Sequence, residues 1–167
     1  AGPMVPVRAG KLWGFADRDG KLVIAPRFSG VRRIDSHGVF VVLEDGKRGL
    51  LNEHGELVIP SRYQDIHPTL SPRIWIVIDE QKNYGLVDTN GNVIVPNTSV
   101  RIENLGEFGL LLKNDGLYAI ADTDGRLRTD YAFEEVKTHI AGGLAPAKAA
   151  HRWGFIDASG RFVIPND

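Results

Sequence analysis

His151 to Asp167 reads H-R-W-G-F-I-D-A-S-G-R-F-V-I-P-N-D, and Lys11 to Pro26 reads K-L-W-G-F-A-D-R-D-G-K-L-V-I-A-P. Three further copies lie between these two. Aligned on the residue after the aromatic, the copies place Gly14, Gly49, Gly85, Ala119 and Gly154 in one column. A second column holds Gly20, Gly55, Gly91, Gly125 and Gly160. Two independent columns with the same period of about 35 residues establish a tandem repeat.

Each column has a physical reading. Trp13, Tyr84, Tyr118 and Trp153 precede the first glycine column, with Arg48 in the second copy. An aromatic before a glycine suits a strand whose backbone is closely approached beside a packed ring. Phe15, Leu50, Leu86, Ile120 and Phe155 follow and read as inward-facing. Asp17, Asn52, Asp88, Asp122 and Asp157 stand three places before the second glycine, the chemistry of a hairpin turn. Apolar pairs then resume, as at Val23 and Ile24, except in the fourth copy, which has Arg128 and Thr129. Pro26, Pro60, Pro96 and Pro165 are expected to end the strand, because proline has no amide donor.

Val39 to Leu43, Ile74 to Ile78 and Gly109 to Lys113 are apolar on both faces and predict buried strands. Turns such as Glu44-Asp45-Gly46 lead each of them into its aromatic-glycine strand. Phe28, Tyr63 and Phe133 share one later column, and Val31, Ile66, Ile102 and Val136 another; both are expected to staple a loop of roughly ten residues onto the core. No stretch shows a helical period. The expected fold is all-β: five three-stranded antiparallel meanders covering about 4–38, 39–73, 74–108, 109–143 and 144–167. A propeller-like ring is the expected arrangement, with an open β-solenoid of stacked hairpins as the alternative. Pro6 and Pro146 are expected to weaken pairing in the first and last copies.

The string [K/R]-W-G-F-[I/A]-D-x-x-G-x-[L/F]-V-I-x-P resembles the WG repeat of bacterial proteins. The resemblance runs from about Met4 to the end and is strongest in the first and fifth copies. That family is defined by its repeat and not by an activity, so the resemblance implies an architecture and assigns no chemistry.

Composition narrows the function further. A net charge of −1 lacks the electrostatic footprint of a duplex nucleic-acid binder. No apolar run reaches membrane-spanning length. Nineteen glycines and nine prolines are mostly absorbed by turns. Ala1-Gly2-Pro3 reads as an expression-tag remnant before a start at Met4, which makes the cytoplasm the expected compartment. There is no cysteine, phosphate loop, nucleophile elbow or metal motif. His37, His54, His67, His139 and His151 fall in expected loops and share no column. The Asp-rich turns partly mimic a calcium loop but lack its distant bidentate glutamate. No catalytic residue, cofactor or metal is therefore expected.

Departures from the repeat are where a function should sit. Repeat one is rich in Arg and Lys and repeat four in Asp and Glu, which fits complementarity to a charged partner. The candidate partner-binding residues are Arg27, Arg32, Arg33, Trp75, Asp130, Glu134 and Glu135. Trp75 is set in a column with Met4, Val39, Gly109 and Leu144, where it would be either core or an interface anchor. The expected function is a non-catalytic protein-binding module, for instance an immunity protein that masks a toxin. The alternative is a module for glycans or cell-wall fragments, stacking sugars on Trp13 and Trp153.

Overall fold

The computed structural model describes residues 4–34, 38–138 and 140–164. Ala1-Gly2-Pro3, His37, His139 and Pro165 lie outside the described residues. Among the described residues, eighteen strands form five antiparallel sheets, with one 3-10 turn at Gly106–Phe108. The first sheet is β1 (Val5–Ala9), β2 (Leu12–Ala16) and β3 (Leu22–Phe28). The second is β4 (Gly30–Ile34), β5 (Val39–Glu44), β6 (Lys47–Leu51) and β7 (Leu57–Tyr63). The third is β8 (Asp65–Pro68), β9 (Ile74–Ile78), β10 (Tyr84–Asp88) and β11 (Val93–Ser99). The fourth is β12 (Arg101–Asn104), β13 (Leu110–Asn114) and β14 (Leu117–Ala121), and the fifth is β15 (Glu135–Val136), β16 (Ala145–Ala149), β17 (Arg152–Ile156) and β18 (Phe162–Ile164).

The expected loop is thus itself a strand. β4, β8, β12 and β15 each pair antiparallel with the buried strand that follows. Their stapling residues Ile66, Ile102 and Val136 are buried. Each sheet therefore starts near the end of the preceding sequence repeat, and His67 lies in β8 and not in a loop. Pairing at Pro6 and Pro146 is not weakened toward the next strand: β1 matches β2, and β16 matches β17, over five consecutive pairs. The proline's missing donor is felt on its other side, where the Pro146 carbonyl accepts from Lys137 N–H. There β15 is only two residues long, and the first sheet has no outer strand among the described residues.

Proline does not end the third strand either. β3, β7 and β11 run through Pro26, Pro60 and Pro96. In β3, Trp13 faces Phe28 while Phe15 faces Ile24, so the strand bulges around Pro26; β7 and β11 shift register in the same way. A bulge leaves amides out of the ladder, so a residue without a donor loses nothing there. It also pushes backbone onto the facing glycine. A Cβ on Gly14 would lie 2.4 Å from the Ile24 carbonyl oxygen, and one on Gly85 would lie 2.7 Å from that of Val95. The fourth copy has Ala119 in this column and forms no full third strand; only isolated bridges, Ala121 to Leu127 and Tyr118 to Phe133, remain.

The turn column behaves identically in all five copies. Asp17 Oδ1 accepts from the backbone of Asp19 and Lys21, and Asn52, Asp88, Asp122 and Asp157 each accept from the residues two and four places on. Their oxygens serve the turn, which explains the calcium-like spacing without an ion.

The core is a series of seams between consecutive sheets. Phe15 and Phe28 of the first sheet meet Phe40, Val42 and Leu51 of the second. Leu50 and Ile59 of the second meet Trp75, Val77 and Val87 of the third. Ile76 and Leu86 meet Leu110, Leu112 and Ala121 of the fourth, and Leu111 and Ile120 meet Ala145, Ala147 and Ile156 of the fifth. Alternation along each strand thus sends one side chain forward to the next sheet and the following one back to the previous sheet. Each large side chain buried this way stabilises the stack by about 1.5–3 kcal/mol.

Candidate interaction surface

Several charged candidates hold the stack together. Arg27 on β3 donates twice to Glu44 on β5, Nε to Oε2 at 2.7 Å and Nη2 to Oε1 at 3.1 Å, while its guanidinium lies over Phe28. Arg32 on β4 donates to the Ile66 carbonyl on the next sheet at 3.3 Å. Arg33 is exposed on the same strand. Among the acids, Glu134 accepts from the His151 backbone N–H at 2.7 Å and pairs with Lys148. That bond steadies a tight turn whose Ala150 and His151 both have positive φ. Glu135 pairs with Lys137 at 3.5 Å, and Asp130 is exposed. The arginines lie on β3 and β4, whereas the acids lie at and just before β15 and are interleaved with lysines.

Trp75 is not on the surface. It is fully buried in the seam between the second and third sheets, and its indole N–H donates to the Pro72 carbonyl at 3.0 Å. Pairing corrects its column by one residue. Trp75 faces Val87, so its counterparts are Val5, Phe40, Leu110 and Ala145, which face Ala16, Leu51, Ala121 and Ile156. Trp13 is half-buried under Arg8, whereas Trp153 is 42% exposed with the Lys137 amine 5.4 Å from its ring centre.

Hydrogen bonding to two carboxylates leaves a pH signature. Hydrogen bonds from Arg27 hold the Glu44 carboxyl below its usual range, outweighing desolvation. Burial pushes Asp88 up, but bonds from Asn92 and Asn90 and the charge of Arg73 leave it lowered overall. Both folded-state values are depressed, so their contribution is complete above the unfolded carboxylate value of about 4 and is lost as pH falls further. Urea midpoints should therefore fall on the acid side, with a shallower slope in Glu44→Gln than in the wild type. Equal slopes would remove the role given to Glu44.

The surface that sequence reasoning missed is the outer face of the fifth sheet. In the forward-facing column, Phe15, Leu50, Leu86 and Ile120 are completely buried, yet Phe155 is 40% exposed. Its cross-strand partner Ile164 is 49% exposed, whereas Ile59, the equivalent in the second sheet, is buried. Val163 is exposed beside them. At the opposite end the likeness is partial, since Ala16 is buried and Val7 half-buried beside Val5. Val5 is 51% exposed, while its counterparts Phe40, Trp75, Leu110 and Ala145 are buried. The signal was present in the sequence, because the first and fifth copies keep the apolar columns of the copies between them. Contiguous exposed apolar residues of this kind mark an interaction site.

Among the described residues, no group of three or more His, Asp or Glu side chains is placed to hold a metal ion. No helix among them is long and apolar enough to cross a membrane. No curated protein matches the chain. Among solved structures, the AfRom2 CNH domain is similar at a TM-score of 0.41 and 9% identity, covering 96% of this chain and 69% of that one. The family model for the WG containing repeat matches residues 13–47, 49–80, 84–96 and 153–165, together more than half of the sequence. The chain belongs to the WG-repeat family.

Proposed function

We propose that the chain is a non-catalytic, protein-binding repeat module of the cytoplasm, whose five sheets stack without closing into a ring. The observation that carries this reading is the exposure of Phe155 and Ile164, in columns the interior sheets bury. An exposed apolar face of this kind suits a protein surface of matching shape. The exposed Arg33 and the paired acids around β15 flank the stack and suit steering of a charged partner more than anchoring it. A masking role, as in an immunity protein that covers a toxin, is the form of this function that fits a module built of repeats.

Photo-crosslinking tests the reading. A crosslinker at position 155 or 164 should trap a protein partner, whereas one at exposed Arg126 should not. Equal yield at all three positions would defeat it. The exposure of Trp153 supports the second reading, binding of glycan or cell-wall fragments. A fluorescence response to such fragments that disappears in Trp153→Ala would put that reading in place of the first.

A further inference from the structure

The last sheet repeats the first residue for residue on its forward face. Pro6, Phe15 and Ile24 lie side by side across β1, β2 and β3, and Pro146, Phe155 and Ile164 lie side by side across β16, β17 and β18. In the first sheet this trio already carries a WG sheet, which seats Phe40, Val42 and Leu51 against Phe15. In the fifth sheet Phe155 and Ile164 of the same trio are exposed, while Pro146 is half-buried as Pro6 is. What fits the trio is therefore another sheet of this repeat, presenting apolar side chains in the three backward-facing columns.

The first sheet has such residues. Val5, Val7 and Ala16 stand where the other sheets place Phe40, Val42 and Leu51, or Ala145, Ala147 and Ile156. Their sizes fall within the range the interior seams accept. The turn glycine shows how a following sheet uses the forward face. Gly55 rests on the sheet before it, where a Cβ would lie 3.5 Å from Val23 and 3.7 Å from Ile24; one on Gly125 would meet Ile94, and one on Gly160 would meet Thr129. A Cβ on Gly20 would meet nothing within 4 Å, and the same holds for Gly91 of the third sheet. Val163 and Ile164 repeat Val23 and Ile24, the pair on which Gly55 rests, and are both exposed.

We infer that the open face of the fifth sheet receives the first sheet of a second copy of this chain, in a head-to-tail contact that continues the internal stacking. The inference rests on the protein-binding reading above and names its partner. A contact between two different faces does not close on itself, so it propagates into short open oligomers. One sheet face is a small interface, which places the association in the micromolar to millimolar range.

Sedimentation velocity on the full chain, from about 1 µM to 1 mM, tests this. The wild type should grow with concentration past the dimer. Phe155→Lys and Val5→Asp change exposed side chains and should leave the circular dichroism unchanged; Ile164→Lys serves as a second forward-face variant. Each variant alone should stay monomeric, because each lacks one of the two faces. An equimolar mixture of Phe155→Lys and Val5→Asp should form a dimer and nothing larger, since one intact pair of faces remains. A wild type that is monomeric throughout, including a compact ring closed by its own two faces, overturns the inference. So does a mixture that stays monomeric or grows beyond the dimer. If the wild type stays monomeric while crosslinking at 155 still traps a different protein, the second-copy inference fails and the protein-binding reading stands. If crosslinking also fails, both fall.

Discussion

Trp75→Ala should destabilise the protein by about 3–5 kcal/mol, the range for removing a fully buried large aromatic. Trp75 has no exposed surface and packs among Val41, Leu50, Ile59, Tyr63 and Ile66 where the second and third sheets meet. Truncation would open a cavity in that seam and leave the Pro72 carbonyl without its indole donor. In a stack whose stability is a sum of repeat terms and nearest-neighbour seams, weakening one inner seam uncouples the two sides. Urea unfolding followed by far-ultraviolet circular dichroism should therefore broaden or split in Trp75→Ala, while Trp75→Phe should lose about 1–2 kcal/mol and stay cooperative. A loss below about 1 kcal/mol in the alanine variant would show that Trp75 does not hold the seam.

The all-β class was legible because the columns carry their own physics. The Asp or Asn with its glycine fixes a turn in every copy, and a short, β-branched apolar run such as Ile74 to Ile78 between turn residues reads as a strand covered on both sides. The linker strands were not legible. β4 and β8 are five and four residues long and carry Arg32, Arg33, Asp65 and His67, so half-buried Val31 and buried Ile66 looked like staples in a loop. Proline misled for a related reason: its missing donor is harmless in a bulge, and a bulge is visible only once two strands are paired. Candidate-site residues were chosen by charge, but the partner of Arg27 is Glu44 on another repeat, and no single repeat reveals that bond. The end faces were readable in principle from Pro6, Phe15 and Ile24 beside Pro146, Phe155 and Ile164. Their meaning depended on which neighbours the fold supplies.

Gly14→Ala should cost about 2–3 kcal/mol although it adds one methyl group, because the added atom has nowhere to go. Its three nearest neighbours would all be backbone: the Ile24 oxygen at 2.4 Å, the Pro26 nitrogen at 2.8 Å and the Ala25 carbonyl carbon at 3.0 Å. Backbone cannot rotate aside as a side-chain tip does, so relief requires β3 to move off β2. Phe28, buried at the end of β3 against Phe15 with ring centres 6.1 Å apart, would move with it. The fourth copy shows the endpoint of that rearrangement. Ala119 fills the same column, and there the Ile120 N–H is met by the Thr129 hydroxyl at 3.0 Å in place of a full strand. Gly30→Ala is the matching control, since its Cβ would make only ordinary contact with Leu43 at 3.4 Å. Hydrogen exchange should show the amides of β3 losing protection in Gly14→Ala and keeping it in Gly30→Ala. Wild-type stability together with unchanged β3 protection in Gly14→Ala would mean that the bulge yields freely, and the glycine column would then need another explanation.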